Sequence, residues 1–177
     1  MFHWYGLIVG IAIVTGYSVA EWIEPKVNKV APWVIVIGLL GARTYHVIDL
    51  WWYYQKNLGQ IVAVWNGGMS IWGGLIGGGL GLLIYYYTIK SIDNMASVLG
   101  AIVTALPLAQ AIGRIANGVN HEFMSSVWIL PWWSAELICD LVLFGIIFRL
   151  GTRAPWLKVL IYLFGYGTIR YVLQPYR

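Results

Sequence analysis

The chain has 177 residues, a length that suits one domain. Hydrophobic residues make up 60% of it and charged residues only 10%, whereas an ordinary soluble domain has about 45–50% and about 25%. Eleven basic and seven acidic side chains cannot give a globule of this size a charged surface. A water-soluble domain is therefore excluded, and the apolar excess also excludes a disordered chain.

Two further classes of protein are excluded by cysteine usage and by the distribution of charge. Cys139 is the only cysteine, so a disulfide-stabilised secreted scaffold is impossible. The net charge of +4 comes from basic residues that stand singly between apolar runs, and we expect no nucleic acid partner. An integral membrane protein remains, and its eleven Trp and twelve Tyr suit the two membrane–water interfaces.

Six apolar stretches are long enough to cross a hydrocarbon core, which takes about 20 residues of helix. The predicted spans are residues 2–23, 30–54, 60–89, 95–115, 131–150 and 155–173. Asn66-Gly67-Gly68 favours a break or a re-entrant entry in the third span, since irregular backbone at membrane depth needs protein or a polar cavity beside it. The sequence predicts an all-α polytopic membrane protein with a single domain over residues 1–177 and a short outer connection at about residues 117–130.

The basic residues predict the orientation of these spans. With the N-terminus outside, the inner side holds six of them: Lys26, Lys29, Lys90, Arg149, Arg153 and Lys158. The outer side holds four, which are Lys56, Arg114, Arg170 and Arg177. Because cytoplasmic loops carry an excess of Lys and Arg, we expect the N-terminus outside.

A few charged residues fall within the apolar spans, where each costs roughly 2.5–3.5 kcal/mol at the helix centre on insertion scales. They are Arg43, Asp49, Arg114, Glu136, Asp140 and Arg170. In the predicted topology Arg114, Glu136 and Arg170 all lie in the outer half of their helices. Polar groups at one depth on several helices indicate a site in the outer leaflet.

Simpler interpretations stay open for these residues. Glu136 and Asp140 lie four residues apart on one helical face, where either could pair with Arg43 or Arg114 as a structural ion pair. Arg170 could extend to lipid phosphates at the membrane surface, and Tyr5 could belong to an ordinary aromatic belt.

The stretch from Trp65 to Gly79 is rich in glycine. Gly73, Gly77 and Gly81 recur every four residues, as do Gly74 and Gly78, which is the small-xxx-small pattern of closely packed membrane helices. Helix packing explains these glycines without a ligand.

The segment from Gly113 to Glu122 is the most informative. Arg114 offers a planar fork of donors suited to a phosphate diester, and Asn117 lies about one helical turn further on. Glu122 follows a glycine at which we expect the helix to end. A guanidinium, an amide and a carboxylate at the outer membrane edge suit an anionic lipid headgroup.

These motifs resemble those of the phosphatidylglycerol–prolipoprotein diacylglyceryl transferase family of bacterial inner membranes. The chain resembles a divergent, shortened member of that family. Six segments follow the family's order. They are His3–Leu7, Gly41–Val47, Trp65–Gly77, Gly113–Glu122, Ser134–Phe144 and Gly165–Arg170.

The resemblance implies a multi-pass protein of the bacterial plasma membrane, where it moves the diacylglyceryl group of phosphatidylglycerol onto the lipobox cysteine of a prolipoprotein signal peptide. Its partners would be these two substrates and membrane lipids. The implied catalytic residues are Arg114, Arg170, Tyr5 and Glu122. The implied substrate-binding residues are Arg114, Asn117, Tyr166, Gly73 and Gly74. We expect no metal or other cofactor, because three histidines and one cysteine on separate segments offer no ligand spacing.

The chain departs from the family pattern at two positions. Trp72 stands where the family has a histidine, and Gln174 stands where it has a glutamate. If that histidine is the base, His46 or His121 could replace it. A non-catalytic lipid-binding homologue of the same fold is therefore the alternative hypothesis. A small transporter is a third, and the lack of an internal repeat argues against it.

Overall fold

The computed structural model describes residues 4–89, 95–120, 126–127 and 129–176. It is built from α-helices: α1 (Trp4–Ile23), α2 (Val27–Asp49), α3 (Trp51–Tyr54), α4 (Ile71–Ile89), α5 (Met95–Val119), α6 (Trp132–Phe148) and α7 (Pro155–Leu173). Short 3₁₀ turns cover Leu58–Val62, Val64–Asn66 and Gln174–Tyr176. The predicted all-α polytopic class is confirmed.

Two of the predicted spans differ most from the helices in the structure. The helix predicted for residues 30–54 ends at Asp49, because Leu50 leaves the helical region with φ −109° and ψ 36° before the short α3. The span predicted for residues 60–89 is interrupted at Asn66-Gly67-Gly68, where the sequence favoured a break or a re-entrant entry. Gly67 and Gly68 adopt positive φ values of 84° and 74°, which glycine tolerates and a right-handed helix excludes, so α4 begins only at Ile71.

The connection predicted for residues 117–130 is partly structured. Helix α5 runs on to Val119 and therefore includes Asn117. Two short antiparallel strands, β1 (Ser126–Val127) and β2 (Leu130–Pro131), follow within the described residues. Residues 121–125, which include Glu122, and residue 128 lie outside the described residues.

The described residues form two compact units, one of residues 1–27 and 94–177 and the other of residues 28–93. Helix α5 is the centre of the first unit, because α1, α6 and α7 all pack against it. Its buried face is made of small and β-branched residues such as Val98, Ala101 and Ala105, which let neighbouring membrane helices approach closely. The predicted single-domain organisation stays a prediction.

The second unit is held by close contact between α2 and α4. A Cβ atom added to Gly41 would lie 2.9 Å from Gly77 Cα, and one added to Gly81 would lie 2.9 Å from the Trp33 carbonyl oxygen. Real side chains do not approach backbone atoms so closely, so these positions require glycine. The small-xxx-small interpretation of α4 is confirmed.

Three of the described helices, α1, α2 and α5, are long and apolar enough to cross a membrane. Helix α6 has only 17 residues, which at 1.5 Å per residue spans roughly 25 Å. The protein is a membrane protein, whereas the count of six spans and the N-terminus-out orientation remain predictions.

Candidate functional site: two arginines on one buried carboxylate

The candidate site lies in the first unit, where α5, α6 and α7 each contribute a charged side chain. Arg114 Nη2 lies 2.8 Å and Arg170 Nη1 lies 3.1 Å from the same oxygen, Glu136 Oε1. Glu136 is fully buried, while the side chains of Arg114 and Arg170 are 15% and 11% exposed. We call these three residues the Glu136 cluster.

An aromatic side chain supports both guanidinium groups. The ring of Trp132 lies 5.6 Å from the Arg114 guanidinium carbon and 5.7 Å from that of Arg170. Its indole N–H donates to the Leu173 carbonyl oxygen at 2.6 Å, which ties the start of α6 to the end of α7. Because Trp132 is itself fully buried, it fixes the two arginines side by side through cation–π contact.

The remaining donors of the two arginines reach uncharged groups. Arg114 donates to Asn117 Oδ1 at 3.5 Å and to the Tyr166 hydroxyl at 3.4 Å, distances at the long limit of hydrogen bonding. Arg170 donates to Gln174 Oε1 at 3.2 Å. Gln174, one of the departures from the family pattern, therefore contacts the cluster directly.

The charges within the cluster do not balance. Two guanidinium groups and one carboxylate leave one positive charge, counting only these three residues. Glu136 Oε2 and Arg114 Nε are buried and have no hydrogen-bond partner in the part of the chain that the structure describes. An incoming monoanion such as a phosphate diester would neutralise the excess charge and find free donors on two guanidinium forks.

Below the cluster, towards the middle of the unit, lies a second group of polar side chains. The rings of Tyr162 and Tyr166 stack with centroids 5.7 Å apart, and Gln110 donates to the Tyr162 hydroxyl at 2.9 Å. Asp140, one turn beyond Glu136 in α6, is fully buried, and neither of its oxygens has a partner among the described residues.

Tyr5 lies half-buried in the first turn of α1. Gly16 packs on Ala109, while Ile23 shares a cavity with Ser97 near the start of α5, so α1 and α5 run antiparallel. Tyr5 therefore lies at the end of the unit where α5 finishes, and Arg114 and Asn117 lie at that same end.

The other residues predicted for the site are placed differently. Gly73 and Gly74 lie in the second unit and face α2: a Cβ on Gly74 would lie 3.7 Å from Ala42 Cβ. Packing accounts for both, and their role in substrate binding stays a prediction. Glu122 falls outside the described residues, as does His121.

Arg43 and His46 also belong to the second unit. Arg43 donates to the carbonyl oxygens of Ile61, Gly67 and Gly68 at 2.7–2.8 Å, and to that of Gln60. The sequence had left open whether Glu136 pairs with Arg43 or with Arg114. In the structure Glu136 pairs with Arg114 and Arg170, and Arg43 instead binds backbone carbonyls.

Sequence reasoning did not identify Glu136 as the common partner of Arg114 and Arg170. Its position in an apolar span marked it as unusual, but the three residues are separated by 22 and 34 positions along the chain. Only the rotation of α5, α6 and α7 about their axes brings them together.

Comparison with known proteins shows the family of the chain. The family model described as "Prolipoprotein diacylglyceryl transferase" matches residues 1–177. The chain belongs to this family. It is 32% identical to phosphatidylglycerol–prolipoprotein diacylglyceryl transferase of Streptococcus uberis, over 99% of this chain and 79% of that protein.

Two further relatives carry the same name. The Finegoldia magna protein is 34% identical over 73% of this chain and 54% of its own length. The Fervidobacterium nodosum protein is 37% identical over 73% of this chain and 47% of its own length. The chain thus matches about half the length of these two family members.

Proposed function

We propose that this protein transfers the diacylglyceryl group of phosphatidylglycerol to the lipobox cysteine thiol of prolipoproteins, the first step of lipoprotein maturation. The observation that carries the proposal is the convergence of Arg114 and Arg170 on Glu136 Oε1 at 2.8 and 3.1 Å. Membership of the family and the names of its relatives support the same activity.

The reaction requires that the negative charge on the leaving phosphate be stabilised. The cysteine sulfur attacks the glyceryl carbon that carries the phosphate, a C–S bond forms, and the C–O bond to phosphate breaks. Glycerol phosphate departs with the bonding electron pair and so gains negative charge. Two guanidinium groups fixed beforehand by Trp132 and Glu136 would stabilise that charge in a site of low dielectric constant.

The nucleophile must be a thiolate, because the thiol itself reacts poorly. The proton therefore has to leave the lipobox cysteine before or during attack, and the excess positive charge of the Glu136 cluster favours the thiolate beside it. Neither Trp72 nor Gln174 can serve as the proton acceptor. The side chains of this chain that could accept the proton in place of the family's histidine are His46 and His121.

The other residues implied by the resemblance shape the pocket around the headgroup. Asn117 and Tyr166 would orient the phosphate-binding face of Arg114, which both contact at 3.4–3.5 Å. Tyr5 would complete the pocket at the same end of the first unit. A catalytic role for Glu122 and a substrate-binding role for Gly73 and Gly74 are the further parts of the proposal that the resemblance implies.

Where the protein works follows from its substrates. We propose the bacterial plasma membrane, with the Glu136 cluster in the outer leaflet and both substrates reaching it from the lipid. A prolipoprotein is held there by its signal peptide, so a soluble enzyme could not meet both reactants.

The test is transfer by the full chain reconstituted in phosphatidylglycerol vesicles with a lipobox peptide, followed by mass spectrometry of the peptide. The wild-type protein should add one diacylglyceryl group to the cysteine. Arg114→Ala should lower the rate by about 10²–10³-fold, the usual loss when one transition-state donor is removed. Lys56→Ala, which changes an exposed residue, is the matched control.

Two results would contradict the proposal. Equal transfer rates for Arg114→Ala and Lys56→Ala would show that the Glu136 cluster takes no part in the reaction. An unmodified peptide in every sample, beside an active control transferase, would favour the non-catalytic homologue.

A further inference from the structure

Two adjacent tryptophans open α6, and the surroundings of their indole N–H groups differ. Trp132 donates to the Leu173 carbonyl oxygen at 2.6 Å. The indole nitrogen of Trp133 is buried and has no hydrogen-bond partner among the described residues. A buried donor without an acceptor lowers the stability of a protein. Such a group calls for an explanation, and a bound ligand that accepts its hydrogen bond provides one.

The Trp133 ring lies one helical turn beyond the Glu136 cluster. It packs on Gly118 of α5, where an added Cβ would lie 2.8 Å from Trp133 Cε2, the ring carbon bonded to the indole nitrogen. Gly118 comes four residues after Arg114, so the two positions share a face of α5 and lie about 6 Å apart along its axis. On α6, Trp133 comes three residues before Glu136. The N–H group of Trp133 is therefore on the side of the cluster where α5 ends.

An unpaired acceptor lies on the same face of α6. Glu136 Oε1 binds both arginines, whereas Glu136 Oε2 is buried and has no hydrogen-bond partner in the part of the chain that the structure describes. Side chains three residues apart on a helix are neighbours. Trp133 and Glu136 thus offer a donor and an acceptor beside each other. A hydroxyl group both donates and accepts, so it can satisfy the two together.

We propose that Trp133 recognises the glycerol hydroxyl groups of phosphatidylglycerol and thereby selects this lipid by its headgroup. This role rests on the proposed function, in which Arg114 and Arg170 hold the phosphate. The headgroup glycerol extends three carbons beyond the phosphate, a length comparable to one helical turn. A hydroxyl group at that distance accepts from the Trp133 N–H and donates to Glu136 Oε2.

The pair of groups discriminates between headgroups by their chemistry. The ammonium group of phosphatidylethanolamine has donors but no acceptor, so it leaves the indole N–H unpaired and adds a cation beside two guanidinium groups. An alkyl headgroup leaves both Trp133 and Glu136 Oε2 unpaired. A site built to bind a substrate hydroxyl rejects an analogue that lacks it, because its own buried polar groups then have no partner.

The test is lipid binding by the full chain in detergent, measured by native mass spectrometry without a peptide substrate. Phosphatidylpropanol is the matched probe, since it is the same monoanionic diester without the headgroup hydroxyl groups. The wild-type protein should bind phosphatidylglycerol about tenfold more tightly than phosphatidylpropanol, the size expected for one buried hydrogen bond. Trp133→Phe keeps an aromatic ring beside Gly118 but lacks the N–H. It should lose most of this preference by weakening the binding of phosphatidylglycerol alone.

Two further variants control this comparison. Trp156→Phe is the same substitution at a position of α7 that is 64% exposed, and it should keep the wild-type preference. Gly118→Ala displaces the Trp133 ring without removing its N–H and should lose the preference as Trp133→Phe does. It therefore provides a second test if Trp133→Phe does not fold.

Three results would overturn the role of Trp133. They are equal binding of the two lipids by the wild type, a Trp133→Phe protein that keeps the preference, and a Trp133→Phe protein that binds both lipids more weakly to the same extent. Because this measurement involves no transfer, its outcome is separate from that of the proposed function. A wild-type protein that prefers phosphatidylglycerol but modifies no lipobox peptide would contradict the proposed function and leave lipid selection by Trp133 standing.

Discussion

Two acidic residues one helical turn apart in α6 have very different surroundings, although both are fully buried. Glu136 accepts contacts from two guanidinium groups at 2.8 and 3.1 Å. Asp140 has no hydrogen-bond partner for either oxygen among the described residues. The Glu136 carboxylate therefore neutralises positive charge inside the protein, whereas the buried Asp140 carboxyl group lowers the stability of the fold because it has no hydrogen-bond partner.

This contrast predicts opposite effects on stability. Glu136→Gln leaves two largely buried cations without their anion and should destabilise the protein by about 3 kcal/mol, because one partner of a buried ion pair is lost. Asp140→Asn removes an unpaired ionisable group with almost no change in volume and should be neutral or stabilising. Thermal unfolding in detergent, followed by circular dichroism, measures both.

The double variant Glu136→Gln with Arg170→Gln serves as the control for this prediction. It removes one cation with the anion, so its melting temperature should lie above that of Glu136→Gln alone. A Glu136→Gln protein as stable as the wild type, or an Asp140→Asn protein destabilised as much as Glu136→Gln, would show that the described contacts do not determine the stability of α6.

At the level of helices, the glycines of α4 differ in what surrounds them. A Cβ added to Gly77 would lie 3.1 Å from Gly41 Cα and closer still to the Ile37 carbonyl oxygen, whereas one added to Gly79 meets nothing within 4 Å. Gly77 thus sets the distance between α2 and α4, and Gly79 only lowers the helix propensity of its own segment.

Gly77→Ala should therefore destabilise the second unit by about 1–3 kcal/mol, the usual cost of overpacking a close contact. Gly79→Ala should be neutral or stabilising by up to about 1 kcal/mol, since alanine favours the helix more than glycine does. Hydrogen exchange of α4 amides gives the readout. Equal amide exchange rates in the Gly77→Ala and Gly79→Ala variants would contradict a close contact between α2 and α4 at Gly77.

The irregular segment before α4 depends on one side chain from α2. Arg43 is 8% exposed and binds the carbonyl oxygens of Ile61, Gly67 and Gly68 at 2.7–2.8 Å. A lysine keeps the charge but lacks the fork that reaches several acceptors at once. The guanidinium geometry, rather than the charge alone, holds residues 60–68 in place.

Arg43→Lys should consequently expose this segment while leaving the surrounding helices folded. Limited proteolysis should cleave the variant between residues 58 and 70 at least tenfold faster than the wild type. Arg149→Lys, at an exposed position, is the matched control. Unchanged cleavage of Arg43→Lys would mean that the segment is held by other contacts.

At the level of the whole molecule, the sequence predicted the helices better than the site. The last helix was expected at residues 155–173 and is observed there, since Pro155 suits the first turn and the apolar run ends with Leu173. The break at Asn66-Gly67-Gly68 was anticipated as one of two possibilities, because glycine permits the positive φ that the structure shows.

The pairing of Arg114 and Arg170 on Glu136 could not be derived from sequence. An apolar membrane helix has no polar face to indicate its rotation, so a sequence gives the depth of a charged residue but not its direction. Depth alone placed Arg114, Glu136 and Arg170 in one layer. The contact itself depends on how α6 and α7 pack around α5.

The predicted orientation of the chain can be tested across a single helix. Ile129, 92% exposed, precedes α6, and the exposed Arg153 follows it. If α6 crosses the membrane and the N-terminus is outside, these two positions lie on opposite sides. The distance of roughly 25 Å covered by its 17 residues is close to the hydrocarbon thickness of about 30 Å.

With Cys139 first replaced by alanine, Ile129→Cys should react with a membrane-impermeant maleimide added to intact spheroplasts, and Arg153→Cys should react only after the membrane is opened. Labelling of both before opening would show that α6 does not cross. The reverse pattern would place the Glu136 cluster in the inner leaflet, where a lipobox cysteine translocated to the outer face could not reach it. This measurement therefore tests the orientation and the outer-leaflet position of the proposed reaction together.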